Sequence, residues 1–476
     1  MNPDNSIVQQ HINEIFSAQK VQALKMRNST PLLRIALLKK LLNWIKINQE
    51  DIRRAVFADF KKPYPEIDIS EIYVVTNEIN HAIKHLEGWM KPKKVPTPII
   101  MLGAKSQIQF EPKGTSLIIA PWNYPFNLAI GPLVSALAAG CTAIIKPSEM
   151  TPHTSALIRR LVEETFDKSL VAVVEGEIQV SQMLLAKPFD HIFFTGSPAV
   201  GKIIMKAAAE NLSSVTLELG GKSPTIIDQK SDLSDAAEKV IYAKFLNCGQ
   251  TCIAPDYVLV HESVKDNFLS LLKAQIQKMY DPKNKGIQHS KDYARIVNSK
   301  HINRIKILLS DAEKKGAVLY SGGSYKETEK YFEPTIITNL TEDMEIMQEE
   351  IFGPILPVLG YTDLEEAITY INLKPKPLAL YLFTTEKAIQ KKVLKETSSG
   401  GAVINDCSLH FLQNELPFGG VKTSGFGKAH GYAGFLAFSN EKSVMKQRIG
   451  MTSIKPLYPP YGITGKKIID GLLKWF

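Results

Sequence analysis

A cysteine on a loop is the first residue in this chain able to do covalent chemistry. Cys252 lies in Asn247-Cys248-Gly249-Gln250-Thr251-Cys252, just ahead of Ile253-Ala254-Pro255. An amphipathic helix pattern over 232–245 leads in and a strand-like run over 256–261 leads out. Loops held between rigid elements carry chemistry more often than packing does. A thiolate is a strong nucleophile, and a helix end or backbone amides can lower its pKa. Two plainer readings stand beside this one. A single cysteine commonly packs as a small buried hydrophobe. The Cys248–Cys252 spacing also suits a metal pair or a disulfide, although no second Cys/His pair lies nearby.

Four further stretches punctuate the ends of strand-like runs, and a fifth adds two carboxylates. Asn123, between Pro121 and Pro125, is a neutral donor that could hold an oxyanion or cap a turn. Lys146 and Glu149 end a second run; Lys146 could donate to hydroxyls or phosphates and Glu149 could accept from a ribose hydroxyl. Thr195-Gly196-Ser197-Pro198-Ala199-Val200-Gly201-Lys202 opens a helix, where glycines let a phosphate approach backbone amides. It nearly matches a P-loop, but Ile203 stands where a magnesium-binding hydroxyl belongs, and it also departs from G-x-G-x-x-G. Glu218 ends an apolar strand, where a carboxylate is costly unless used or paired. Its pKa would be raised there, as suits a general base. Glu349 and Glu350 precede the apolar turn Ile351-Phe352-Gly353-Pro354. Nucleophile, oxyanion donor, base and dinucleotide site together suit oxidation of an aldehyde through a thioester.

The elements that must position these residues alternate regularly. Strands are predicted at 116–120, 142–145, 170–174, 191–194 and 215–217, with helices between them. That alternation predicts a doubly wound, Rossmann-like α/β sheet binding a nucleotide at the carboxyl ends of its strands. A second α/β series follows Gly220-Gly221, with strands near 225–227, 257–260, 317–319, 378–383 and 402–404 and helices near 263–279, 291–315, 363–372 and 386–397. Residues 8–60 and 69–89 read as helices. Prolines at 92, 96, 98 and 112 flank alternating residues, which predicts an extended arm or hairpin. After the rigid stretch 455–461, an amphipathic helix over 466–476 places Ile468, Ile469, Leu472, Leu473 and Phe476 on one face. That face suits docking on the fold or a partner subunit, or lying on a membrane surface.

Composition narrows the function classes. The 476 residues allow two or three domains. Net charge is +9, but the lysines are spread out and no nucleic-acid module is visible, so no nucleic-acid partner is expected. The uncharged run 114–145 is long enough to span a bilayer, yet Pro121, Pro125, Gly131, Pro132 and Gly140 break it into a buried strand–helix–strand unit. Four scattered cysteines make no disulfide framework, and the polar start shows no secretory signal. A reducing, cytoplasmic location is expected.

Taken together, the stretches PWNYPF, IKPSE, FTGSPAVGK, LELGGKSP, NCGQTC, EEIFGP and LPFGGVKTSGFG resemble the NAD(P)-dependent aldehyde dehydrogenase superfamily. Within it the chain is similar to the class 3, fatty-aldehyde branch. The resemblance implies that Cys252 attacks the aldehyde, that Asn123 and the Cys252 amide hold the oxyanion, and that Glu218 activates the water releasing the acid. It implies that Glu350 shares or takes over that base role and contacts the nicotinamide ribose, with Phe352 beside it. Lys146 and Glu149 would bind the adenosine ribose, Gly196, Ser197 and Gly201 the pyrophosphate, and Tyr124 would flank the channel for a medium- or long-chain aliphatic or aromatic aldehyde. NAD is expected ahead of NADP, with no metal. The implied domains are a cofactor domain over 1–92 and 113–217, a catalytic domain over 218–407, a bridging arm over 93–112 and 408–440, and a tail over 441–476. A homodimer is expected, with peripheral membrane contact open to the tail helix. The competing readings are a CoA-acylating or semialdehyde relative, a non-catalytic relative, and a P-loop ATPase. The intact Glu218 speaks for hydrolysis over acyl transfer to CoA.

Overall fold

A computed structural model describes residues 3–450 and 452–475; Phe476, expected on the tail helix face, lies outside the described residues. Two parallel α/β sheets organise the chain. The first holds Val171–Val173, Thr142–Lys146, Thr115–Ile119, His191–Gly196 and Ser214–Leu219 side by side, all parallel, with Gly425–Phe426 added antiparallel at the edge. In order along the chain, the five parallel strands are arranged 3-2-1-4-5. The order therefore reverses between Thr115–Ile119 and His191–Gly196, and a crevice opens there at the strand ends. Every residue of Thr115–Ile119 and Thr142–Lys146 is buried, which is why these runs read as continuous apolar stretches.

The second sheet orders Val318–Ser321, Thr335–Thr338, Ile355–Tyr361, Tyr257–His261, Pro224–Ile227, Ala379–Phe383 and Gly401–Ile404. Thr335–Thr338 and Ile355–Tyr361 are absent from the sequence-based expectation. The latter contains Pro357, which argues against a central strand. Its pairing with Tyr257–His261 begins only at Val358, so the missing N–H falls outside that ladder. The helix predicted over 291–315 is shorter, Ser299–Lys314, with Asn298 accepting from His301 N. The preceding segment stays extended because it is used: Arg295 O accepts from Gln250 Nε2 and Val297 N donates to Gln250 Oε1, both at 3.0 Å.

Lys93–Val95 and Lys105–Pro112 form the expected hairpin, and Ser439–Lys446 completes a three-stranded antiparallel arm. That third strand runs past residue 440. Of the residues before it, Gly425–Phe426 pairs with the first sheet, and Gly431–Ala437 packs against helices Val74–Trp89 and Asn127–Ala139. The tail helix Ile463–Trp475 leaves Ile469 and Leu473 exposed. No helix among the described residues is long and apolar enough to cross a membrane.

The predicted helix over 69–89 is interrupted by a π-helical turn, Asp68–Tyr73, before Val74–Trp89. Such turns often mark functional positions. This one carries Glu71, fully buried against the equally buried Lys62, with Nζ to Oε1 at 2.7 Å. Lys62 Nζ also donates to Asn123 O, and Glu71 Oε2 accepts from Asn127 N. Removing one partner of a buried ion pair leaves an uncompensated charge. Lys62→Met should therefore lower the unfolding free energy by about 3–5 kcal/mol in urea titrations. The Lys62→Met/Glu71→Leu double variant should recover part of that loss.

Candidate active site

The loop that carries Cys252 is built on left-handed backbone. Asn247, Cys248 and Gly249 have φ of 51°, 56° and 75°. A Cβ on Gly249 would stand 2.3 Å from Gly353 O, so only glycine lets the two loops meet. Asn247 N donates to Glu66 Oε1 at 2.7 Å, and Asn247 Nδ2 donates to Asn123 O at 2.8 Å. Beyond the cysteine, Ile253 O accepts from Tyr381 Oη at 2.5 Å. These contacts fix the cysteine between the two sheets. Cys248 is buried, and its thiol donates to Tyr293 Oη at 3.2 Å. Both cysteines are free thiols, so the disulfide reading of the pair does not hold.

A cavity of about 800 Å³ opens at the crevice of the first sheet and reaches Cys252. Asn123, Gly196, Ser197, Glu218, Glu350 and Phe352 all line it. A second, narrow cavity approaches from the other side, walled by Leu128, Phe193, Leu378, Phe411 and Phe418. Cys252, Glu218 and Thr195 line both. The sulfur therefore stands where the two cavities meet.

Asn123 is buried, and its Nδ2 donates to Gln250 O at 3.1 Å. One N–H of that amide is so used; the other has no acceptor among the described residues. Backbone amides of Cys252 and Ile253 are directed at the sulfur. Burial, then the Glu350 and Glu218 carboxyls, push the Cys252 thiol up to about 12. Neither oxygen of the buried Glu218 has a hydrogen-bond partner. Burial raises its pKa well above the ordinary carboxyl range, and Lys428 pulls the other way. Gly419 separates the two: its Cβ would lie 2.9 Å from Glu218 Oε1 and 3.0 Å from Lys428 Cδ.

Glu350 is held differently. It rests on Gly220, where a Cβ would come within 2.2 Å of its Oε2, and it accepts from the Gly221 amide. Burial, with Asp256 nearby, raises its carboxyl to about 8. Three residues that the sequence did not single out hold its loop. Lys222 pairs with Asp256 and donates to Ile346 O and Glu349 O. Asp256 Oδ2 accepts from Ile351 N, and Arg304 donates to Ile351 O at 2.5 Å. Phe352 sits at φ 45° with its ring edge-on to Trp122 at 5.3 Å. Lys222 lies in the LELGGKSP stretch, so a signal was present. Nothing local marked Asp256, Arg304, Lys62, Glu66, Glu71 or Lys428.

The remaining expected residues divide. Ser197 caps helix Pro198–Glu210, its Oγ accepting from Val200 N. Gly201 is buried within that helix, where a Cβ would strike Leu219 at 2.8 Å, so it serves helix–strand packing. Lys146 ends its strand buried, with Nζ 2.5 Å from Glu149 Oε2. The two lie outside the residues lining the large cavity. Tyr124 lines neither cavity. Its hydroxyl lies 2.6 Å from Thr251 Oγ1, and Lys62 Nζ sits 4.0 Å from its ring centre.

Known proteins resemble this chain over nearly its whole length. The profile of the aldehyde dehydrogenase family matches residues 6–444. The 4,4'-diaponeurosporen-aldehyde dehydrogenase of Staphylococcus aureus is 48% identical over 446 residues, 94% of each chain. Aldehyde dehydrogenase family 3 member A2 of Pongo abelii is 40% identical over 92% of this chain and 89% of its own. A solved structure described as the substrate-bound state of Staphylococcus aureus AldH superposes with a TM-score of 0.92 at 45% identity, covering 97% of this chain and 99% of that one. A cysteine on a strained loop, an unpartnered buried carboxylate and a free amide N–H are thus set in a shared frame, and the chain belongs to the aldehyde dehydrogenase family.

Proposed function

We propose that the chain oxidises aldehydes to carboxylic acids with NAD or NADP, NAD preferred, through covalent attachment to Cys252. The observation that carries this reading is that Cys252, Glu218 and Asn123 line one cavity. The larger cavity has room for a dinucleotide. Gly196 and Ser197 stand at a helix N-terminus on the strand-order crevice, and Glu350 presents an unpartnered Oε1. Lys146 and Glu149 are assigned to the adenosine ribose, and Glu350 with Phe352 to the nicotinamide ribose. A bound nicotinamide supplies the hydride acceptor.

The residues of the chain do the rest. The Cys252 thiolate adds to the carbonyl carbon, forming the S–C bond of a thiohemiacetal. Asn123 Nδ2 and the Cys252 amide donate to the resulting oxyanion. Loss of hydride from that carbon leaves a thioester on Cys252. Glu218 then takes a proton from the attacking water, the C–S bond breaks, and the acid leaves. Glu218 is preferred to Glu350 for this step because both its oxygens are free and it borders the sulfur from both cavities. Glu350 is tied to the Gly221 amide. The apolar walls of the smaller cavity favour medium- or long-chain aliphatic or aromatic aldehydes. A cytoplasmic homodimer is part of the same reading, supported by four free thiols and by the exposed outer strand Ser439–Lys446. The exposed apolar residues of the tail helix suit a partner subunit or a membrane surface.

Stopped-flow NADH formation with a medium-chain or aromatic aldehyde tests the chemistry. Wild type should turn over and Cys252→Ser should make no NADH. A wild type silent with both cofactors across several aldehydes would sink the reading. The pH dependence has a definite sign. A base works ionised, and Glu218 has a raised pKa, so turnover should be lost as pH falls through that pKa. Lys428 favours the ionised form. Lys428→Met should therefore move the acid limb of kcat to higher pH, and an unmoved limb removes Lys428 from that role. Glu149→Gln should raise kcat/KM with NADP relative to NAD; an unchanged ratio takes Glu149 out of ribose recognition.

A further inference from the structure

A second group of ligating side chains lies outside the catalytic cavity. On helix Val74–Trp89, His81 and His85 stand four residues apart, which puts both imidazoles on one face. Their ring centres are 4.6 Å apart. Glu415, from the separate segment that follows the turn Leu409–Leu412, brings Oε1 to 3.6 Å from His81 Nε2. One ligand atom from each of the three falls within 4.8 Å of the others.

The surroundings keep these atoms available. Among the described residues, neither imidazole has a hydrogen-bond partner in the protein. A Cβ on Gly431 would stand 3.3 Å from His81 Nε2, so glycine there leaves that nitrogen open. Trp89 stacks on His85 at an interplanar angle of 16° and tilts against His81 at 5.5 Å, which fixes both rings. A purely aromatic ladder would explain the stacking. It would not explain a carboxylate from another segment placed at the ring edge.

We propose that His81, His85 and Glu415 form a site for a borderline divalent cation, Zn2+ first, with water as the fourth ligand. Two imidazoles and one carboxylate are a common zinc donor set, with bonds of about 2.0–2.1 Å. The exposed Glu415 side chain can close the small remaining gap by rotation. Occupancy has a consequence for the neighbouring cavity. Val74 and Glu78 of this helix line the narrow cavity, as does Phe411 of the Leu409–Leu412 turn. A bound cation ties those two walls together. It should alter use of the aldehyde more than use of the cofactor, a consequence that rests on the function proposed above; the binding itself does not.

Metal-stripped protein carrying Cys252→Ala is titrated with Co2+, followed by displacement with Zn2+. One equivalent should give visible d–d bands without a thiolate-to-cobalt charge-transfer band. His85→Ala and Glu415→Gln, neither of them in the catalytic machinery, should each weaken zinc binding roughly tenfold or more. Their metal-free melting temperatures should match the parent. Unchanged affinity in both variants, or a thiolate charge-transfer band, overturns the site. In the enzyme with Cys252 intact, zinc should change the aldehyde KM and leave the NAD KM alone. An unchanged aldehyde KM with zinc bound overturns the link to the cavity.

Discussion

The buried pair of Lys62 and Glu71 is the interaction on which the active site hangs. Two charges taken out of water are stable only when each is matched and every remaining lone pair or N–H finds a partner. Here the matching groups are the site's own backbone. Lys62 Nζ reaches Asn123 O, which also accepts from Asn247 Nδ2. Glu71 takes the Asn127 amide, and the neighbouring Glu66 takes the Asn247 amide. Lys62, Glu66 and Glu71 thus clamp the oxyanion loop to the nucleophile loop. Neither loop makes this geometry alone, and the ion pair has no solvent to fall back on.

A second constraint is the excess of negative groups around the sulfur. Glu218 and Glu350 both border the cavity that holds Cys252, and both have raised pKa values because burial penalises their charged forms. Ionised carboxyls there oppose a forming thiolate, so both raise the Cys252 thiol. The same burial that holds the thiol back also disfavours the charged forms of its neighbours. Lys428, half-buried behind Gly419, is the cation that acts on Glu218. It links the base to the surface without entering the cavity. Glu350 is positioned by a separate set, Lys222, Asp256 and Arg304, which grips its loop mainly through backbone groups. The two acids share a cavity but have different anchors, which suits different tasks.

The two α/β series were legible in the sequence, because fully buried parallel strands leave continuous apolar runs and strand–helix alternation leaves a clear period. Pro121, Gly196 and Gly220 stand at strand ends and marked the loops that meet at the crevice, so Cys252, Asn123 and Glu218 were legible as a set. Other features depended on contacts too distant in sequence to leave a local trace. Lys62, in the link after the first helices, and Glu71, on the next helix, read as ordinary polar residues until Asn123 and Asn127 closed over them. Pro357 hid a strand that pairs with Thr335–Thr338 up to the proline and with Tyr257–His261 only beyond it. Residues 291–298 kept a helical pattern, yet pairing with Gln250 pulled them straight. Gly201 looked like a phosphate-loop glycine and proved to be a packing contact with Leu219. In each case a local preference yielded to burial or to a buried hydrogen bond, and those fall where distant parts of the chain meet.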